Sequence, residues 1–357
     1  MTKEYTALGL MSGTSGDGVD ASIIRSDGEN KYEVILNKYF EYEEKIYQNF
    51  HELRNLINNH TDLHNLLKRV DELEKEITLF HSKVVNNFTQ DNIDLVGFHG
   101  QTIYHNAKEK KSKQLGNGKL LSQLTKKNIV YNFRENDLKN GGDGAPLAPI
   151  FHKLLIKQKQ INLPVTILNI GGITNITSIS SENKMSSSDI GPGNCLIDNW
   201  MRIKMKKNYD KNGETAESGK VNQIILNQAL DNFYNNFNSN RSYDVKDFDL
   251  SFVRGLTLED GAATLTEYTS EIVSKKIPNN LVILCGGGRK NKFLVKIIKK
   301  KINSEIKLID ELDIDGDFVE SQAFAYLAIR SYLKLPISFP ETTGCLKPCT
   351  GGEIIKN

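Results

Sequence analysis

Carboxylates set among glycines and hydroxyls are what a chain needs to hold phosphate groups and a cation, and the run Met11-Ser-Gly-Thr-Ser-Gly-Asp-Gly-Val-Asp20 has all three. Gly13, Gly16 and Gly18 permit close backbone approach, while Ser12, Thr14 and Ser15 offer hydroxyls. Backbone N–H groups of such a loop can take anionic oxygens, and Asp17 and Asp20 can hold Mg2+ directly or through water. The plainer reading of the same residues is a tight Asp-Gly hairpin turn. Two more glycine clusters end apolar runs: Gly171-Gly172 after Val165 to Ile170, and Gly286-Gly287-Gly288 after Leu281 to Cys285. The first is a second place where backbone could meet a phosphate, and the second is a turn against which a flat adenine could lie. Neither has the Gly-x4-Gly-Lys-Ser/Thr spacing, and the first strand is not followed by Gly-x-Gly-x-x-Gly. Asp189 stands beside Gly191-Pro192-Gly193. A rigid turn there can fix an ionised carboxylate as a proton acceptor, or the residue can cap the helix that starts near Cys195.

The elements that must position these residues are legible in outline. Tyr5 to Met11 and Val19 to Arg25 read as the two strands of a glycine-rich hairpin, with Ser12 to Gly18 as its turn. Tyr42 to Gln90 contains neither proline nor glycine, and Leu63, Leu66, Leu67, Val70, Leu73, Ile77, Phe80, Val84 and Phe88 recur at helical spacing, which predicts one long amphipathic helix. Its stripe reads as ordinary core, with His64 and His81 on the surface. Leu95 to Phe98, Ile129 to Phe133, Val165 to Ile170, Leu281 to Cys285 and Ile306 to Ile309 read as buried strands between helices, so the architecture is mixed α/β. Glycines cluster at strand ends, where α/β folds bind ligands.

Composition excludes several classes. At 357 residues the chain exceeds the about 250 to 300 residues at which single cores stop growing, so two domains are expected. A formal charge of +2 gives no broad field for nucleic acid. Cys195, Cys285, Cys345 and Cys349 are too scattered for a disulfide framework and read as reduced thiols; Cys345 and Cys349 alone do not make a zinc site. No secretion signal opens the chain and no long uncharged apolar run spans a membrane, so a cytoplasmic location is expected. Lys299 to Lys301 and the acidic stretch Asp310 to Asp317 read as solvated faces.

Three candidate phosphate or nucleoside loops spread over the whole chain suit the actin, hexokinase and heat-shock-protein ATPase superfamily. More specifically, MSGTSGDGVD from Met11, GFHGQTIYH from Gly97, FRENDLKNGGDGAPLAP from Phe133, LNIGGITNIT from Leu168 and DIGPGNCLIDNW from Asp189 resemble anhydro-N-acetylmuramic acid kinases in order and spacing. The resemblance continues through DKNGETAESG from Asp210, LEDGAATLT from Leu258, CGGGRKN from Cys285 and ESQAFAYLA from Glu320, covering essentially the full length. The sequence departs from that family's pattern at Gly16, where a larger apolar residue is usual, and at Asp143, where glutamine or glutamate is common. The stretch Arg241 to Lys246 only loosely follows a lysine-serine segment.

The resemblance implies a two-lobed actin-like, ribonuclease H-like fold with ATP in the interlobe cleft. The expected lobes are residues 1–128 with 338–357, carrying the first phosphate hairpin, and residues 129–337, carrying the second phosphate and adenosine loops. It implies an enzyme that uses ATP, Mg2+ and water to open the 1,6-anhydro bridge of its amino sugar and phosphorylate O6, and that acts as a homodimer. Asp189 would be the base and Glu320 a second catalytic carboxylate, although Glu320 equally suits a first-turn helix acid. Gly13, Thr14, Ser15, Gly16, Asp17, Gly18, Val19, Asp20, Gly171, Gly172, Gly286, Gly287 and Gly288 would bind nucleotide, with Asp17 and Asp20 on the metal. His99, Gln101, Arg134, Asp137 and Asn194 would bind the sugar, Arg134 meeting a carboxylate with its planar fork. His105 is a further polar side chain after the same strand as His99. The alternatives are an ordinary sugar or carboxylate kinase of the same superfamily, which opens no ring, and a nucleotide-dependent sensor whose output is lobe closure.

Overall fold

The fold is described from a computed structural model covering residues 3–88, 92–236 and 242–357. In chain order the strands are β1 (Tyr5–Ser12), β2 (Gly18–Ser26), β3 (Tyr32–Glu41), β4 (Leu95–Asn106), β5 (Lys111–Leu115), β6 (Asn128–Tyr131), β7 (Val165–Ile170), β8 (Ile173–Ser181), β9 (Lys184–Pro192), β10 (Leu281–Cys285), β11 (Ile306–Leu308) and β12 (Glu353–Ile355). The helices are α1 (Glu44–Leu56), α2 (His60–Asn65), α3 (Leu67–Asn86), α4 (Gly118–Thr125), α5 (Glu135–Lys139), α6 (Pro149–Gln158), α7 (Cys195–Met205), α8 (Glu214–Ser218), α9 (Gln223–Asn236), α10 (Leu258–Ser274), α11 (Lys292–Lys301), α12 (Val319–Tyr332) and α13 (Pro340–Thr343).

The chain divides into two compact units, Met1–Ile161 with Phe318–Asn357, and Asn162–Asp317. The first holds a sheet ordered β12-β6-β4-β1-β2-β3, with β5 paired to β4. The second holds a sheet ordered β11-β10-β7-β8-β9. Within each, a central strand is antiparallel to the strand after it and parallel to a later one: β1 with β2 and β4, β7 with β8 and β10. The outer pairs β4 with β6 and β10 with β11 are also parallel, while β2 with β3 and β8 with β9 are antiparallel. The same ribonuclease H-like strand order therefore occurs twice, and the fold is mixed α/β as expected.

The unit borders differ from the expected lobes at both crossings. Residues 129–161 and 318–337 fall in the first unit because β6 pairs with β4 and β12 with β6, and because α12 lies directly on β1 and β4. Gly9 and Gly97 make that approach possible: a Cβ at either would run into the Ser321 or Phe324 carbonyl. A short apolar strand such as β6 does not declare in sequence which sheet it joins.

The expected single helix from Tyr42 to Gln90 is three helices. Asn59 stops propagation, because its side chain accepts from the Thr61 and Asp62 amides while the Asp62 carboxylate accepts from the Asn58 and Asn59 amides. Such a capping box offers the backbone an alternative to continuing the helix. The apolar stripe does enter the core of the first unit, through Val70, Leu73, Ile77, Phe80, Val84 and Phe88 packed with Leu8, Leu10, Phe50 and Phe98. His81 is fully buried there rather than on the surface, whereas His64 is exposed. The second unit packs one cluster around Trp200, Leu265 and Ile272, and another between β7, β10 and α11 through Leu168, Leu284 and Leu294.

Candidate functional site

The predicted residues fall into two clusters, one inside each unit. In the first unit the β1–β2 turn is closed by the Gly16 amide donating to the Gly13 carbonyl at 3.1 Å, and Gly16 has φ +66°. Thr14, Ser15 and Asp17 are exposed, and the Ser15 hydroxyl donates to Asp17 Oδ1 at 2.6 Å. The Tyr39 hydroxyl lies against Gly18, and burial together with the charges of Asp17, Glu41 and Asp20 pushes its pKa up, so both hairpin carboxylates act on one place. Val19 points into the core, so its side chain offers nothing to a ligand.

Ser12 is likewise buried rather than available as a donor. Its Oγ is 3.0 Å from the Tyr42 hydroxyl and 3.3 Å from His81 Nε2. A carbonyl only accepts, so the 2.8 Å contact to the Ile77 oxygen puts the His81 proton on Nδ1 and leaves Nε2 to accept from Ser12. Burial drives the His81 pKa down to about 4 against the opposing help of the Ile77 bond, so the ring is neutral at pH 7. Sequence reasoning missed His81, although its place four residues after Ile77 on the apolar stripe was the available signal.

His99, Gln101 and Arg134 do come together. Gln101 Nε2 donates to the Gly13 carbonyl at 2.8 Å, tying β4 to the hairpin, while Gln101 Oε1 is buried with no hydrogen-bond partner among the described residues. The Arg134 guanidinium donates to His99 Nε2 at 3.0 Å and to the Gly144 carbonyl at 2.8 Å. Burial, then the Arg134 charge, hold His99 well below the ordinary imidazole pKa, so it is a neutral acceptor towards Arg134. His105, whose Nδ1 is 3.1 Å from Ser112 Oγ, is lowered to about 3 by burial and by Arg134.

Asp137 is spent inside its own loop. Its oxygens accept from the Gly144 amide at 2.7 Å and the Thr343 hydroxyl at 2.6 Å, and it is 1% exposed. It shapes the loop that meets Arg134 rather than reaching outward. Asp143 pairs with Lys110 Nζ at 2.7 Å. Glu320 sits in the first turn of α12, next to Ser321, whose hydroxyl is 2.6 Å from that of Ser22. Ser22 is two residues from Asp20 on one face of β2. Of the stretch Arg241 to Lys246, Arg241 lies outside the described residues.

In the second unit the glycine loops meet each other. The Gly193 and Cys195 amides donate to the Gly172 carbonyl at 2.9 and 3.2 Å, and the Asn194 amide donates to the Gly171 carbonyl at 2.8 Å. A Cβ at Gly193 would strike the Gly171 carbonyl, one at Gly286 (φ +80°) the Asn169 side chain and Ile170 carbonyl, and one at Gly288 the Ile170 side chain. Gly171 and the exposed Gly287 have room, the latter facing Asn194 Nδ2 at 3.9 Å. Asn194, not Asp189, is the N-terminal cap residue of α7, and its side chain makes no capping bond.

Asp189 lies near the end of β9, 8% exposed, and its Oδ2 accepts from the Tyr243 amide at 2.8 Å and the Ser242 hydroxyl at 3.1 Å. Arg289, just after the glycine triplet, binds Asp310 through Nε (2.7 Å) and Nη2 (3.1 Å), and Asp317 through Nη1 (2.8 Å). Burial opposes its charge, but those bonds outweigh the penalty and raise its pKa; Asp310 and Asp317 are solvent-exposed, as expected of the acidic stretch, and also clamp Arg289. Cys345 and Cys349 are free and buried, each thiol directed to the Lys347 carbonyl. Among the described residues no three His, Cys, Asp or Glu side chains gather as a metal cage.

The model of one protein family, described as anhydro-N-acetylmuramic acid kinase, matches residues 5–357. The chain belongs to the anhydro-N-acetylmuramic acid kinase family. A relative of that name from Pelagibacter ubique is 56% identical over 374 residues, covering 100% of both chains. Another from Rhizobium johnstonii is 37% identical, covering 98% of each. Among solved structures, component A of (R)-2-hydroxyglutaryl-CoA dehydratase from Acidaminococcus fermentans aligns over 92% of this chain and 100% of its own, with 11% identity and a TM-score of 0.46. Membership places the nine quoted motifs in one kinase family, and no helix among the described residues is long and apolar enough to cross a membrane.

Proposed function

We propose that the chain is an ATP-dependent kinase that opens 1,6-anhydro-N-acetylmuramic acid with water and phosphorylates O6, giving N-acetylmuramic acid 6-phosphate in cell-wall (peptidoglycan) recycling. Full-length membership of the family supports the substrate, and the fixed carboxylate of Asp189 carries the mechanism. Water attacks the anomeric carbon and gives its proton to Asp189. The bond from that carbon to O6 breaks, O6 takes the γ-phosphoryl group, and the bridging oxygen leaves with ADP. Asp189 suits the base because one oxygen is held by two donors, which fixes its direction. Within the first unit, Arg134 and Gln101 would meet the sugar, His99 would act through Arg134, and Glu320 would serve as the second carboxylate.

Asp17 and Asp20 would hold Mg2+ together with the phosphates. The fit is of the right kind: Mg2+ ordinarily takes one or two carboxylates plus substrate oxygens rather than an all-protein cage, and the charges of Asp17 and Asp20 both reach the Tyr39 hydroxyl beside Gly18. When bound, the ion neutralises charge on the transferred phosphoryl. Gly171, Gly172 and Gly287 would approach the nucleotide from the second unit, with Gly286 and Gly288 shaping that turn and Asn194 beside it. We also assign the protein to the cytoplasm and, on the family resemblance, to a homodimer; light scattering at micromolar concentration tests the dimer.

The deciding assay compares ATP turnover on the anhydro sugar, on free N-acetylmuramic acid and in buffer. Strong preference for the anhydro sugar, with 18O from labelled water on the anomeric carbon and none in the phosphate, is the expected result. Equal turnover of the free sugar would replace this reading with an ordinary sugar kinase.

A further inference from the structure

The hairpin turn is held from outside by an element that no motif marks. Arg54 Nη1 donates to the Thr14 carbonyl at 2.7 Å, and His51 Nε2 donates to the Ser15 carbonyl at 2.9 Å. The two side chains stand one turn apart on α1. Gln101 takes the Gly13 carbonyl from the other side, and the Tyr42 amide takes that of Asp17 at 2.9 Å. Carbonyl and following amide point in opposite directions across a planar trans peptide. Drawing the Gly13 and Thr14 carbonyls towards the protein therefore turns the Thr14 and Ser15 amides the other way. Neither amide donates to any group among the described residues, and both residues are exposed.

Phe50 completes the arrangement. It lies on the same helix, fully buried, and its ring fills the space a side chain at Gly16 would need. His51 packs against both Tyr47 (centroids 4.3 Å apart) and Phe50 (5.3 Å), and the Arg54 guanidinium lies over the Phe50 ring. The glycine at 16, a departure from the family pattern, is thus matched by an aromatic ring supplied by α1.

We propose that α1 is a positioning element for this hairpin: Arg54 holds the Thr14 carbonyl and so turns the Ser15 amide, His51 holds the Ser15 carbonyl and so keeps the Gly16 amide on the Gly13 carbonyl, and Phe50 is seated against Gly16, so that the Thr14 and Ser15 amides face an anionic triphosphate. The proposal rests on the nucleotide reading of the hairpin. Arg54 and His51 touch neither substrate; they act through the backbone they hold.

The experiment measures binding of a non-hydrolysable ATP analogue with Mg2+, KM for ATP, KM for sugar, kcat and thermal midpoint, for the full chain. Arg54→Ala and His51→Ala should each weaken analogue binding and raise KM for ATP by about three- to tenfold, the range for one lost hydrogen bond, with kcat and sugar KM changed less than twofold. His51→Gln, which keeps a donor, should recover most of the loss. Gly16→Leu should weaken analogue binding, and Phe50→Ala should partly restore it in the double variant. A lower thermal midpoint with unchanged analogue binding would overturn the proposal, because a merely structural contact behaves that way. Asp17→Ala and Asp20→Ala are the separate arm. If they weaken ATP use while the α1 variants do not, α1 has no positioning role; if neither set does, the nucleotide reading of the hairpin falls instead.

Discussion

The two sheets share a strand order but build their glycine-rich loops by opposite means. In the first unit the loop is a hairpin whose carbonyls are held by side chains from elsewhere, Gln101 on β4 and His51 and Arg54 on α1. In the second unit the loops hold each other, glycine backbone against glycine carbonyl, with the Gly171-Gly172 turn accepting the amides of residues 193 to 195. A loop held by side chains can be adjusted one hydrogen bond at a time. Where the glycine loops interlock, at Gly193 and Gly286, an added Cβ would meet backbone that cannot move aside cheaply.

Charge separates the units too. All seven histidines, at 51, 60, 64, 81, 99, 105 and 152, belong to the first unit, and His81, His99 and His152 are buried with lowered pKa values. The second unit has none, and its principal buried cation is the permanently charged Arg289.

The largest effect should come from the second unit. Asp189→Asn keeps size and can keep the bonds from Ser242 and Tyr243 only if its amide oxygen faces them, but it removes the base. Turnover should fall about 10² to 10⁴-fold with sugar binding retained by calorimetry; normal turnover would remove Asp189 from the mechanism. Acid should then divide the units. A histidine held neutral in the native state binds its proton more readily when unfolded, so stability rises with pH between the folded and unfolded pKa values and is lost as pH falls. For His81 and His152, at about 4, that window runs from about 6.5 down to about 4. Each of these two costs up to about 1.4 kcal/mol per pH unit in that window. Hydrogen exchange at pH 7 and pH 5.5 should show protection lost in the first unit well before the second, and equal loss would break the contrast.

Glycine substitutions sharpen the packing side. Gly193→Ala must displace the Gly171 carbonyl and should cost about 1–3 kcal/mol in denaturant unfolding. Gly287→Ala, with nothing nearer than 3.9 Å, should stay within about 0.5 kcal/mol. Similar costs at both positions would mean the loops do not interlock. At the hairpin the effect should fall on binding and not on stability: Asp17→Ala or Asp20→Ala should raise KM for Mg-ATP by about tenfold, one lost charge-assisted contact. The thermal midpoint should be unmoved.

By itself the sequence determined the glycine clusters, the strands that feed them and the family, because strand runs and Gly-rich turns are local signals that need no partner to be read. Asp189, the hairpin carboxylates and the three loops were all legible on that basis. Only tertiary structure decided what each residue is bonded to. Asp137 looked like a ligand group and is closed onto Gly144 and Thr343, a residue 206 positions away. His81 looked like surface and lies in the core beneath Ser12. The crossings between units shifted because β6 and α12 join the first sheet through pairings over long sequence separations. Arg54 and His51 carried no signal at all. Their role depends on a helix docking beside a turn some 40 residues earlier, and such an approach is fixed by the packing of Phe50 against Gly16, which no local pattern encodes.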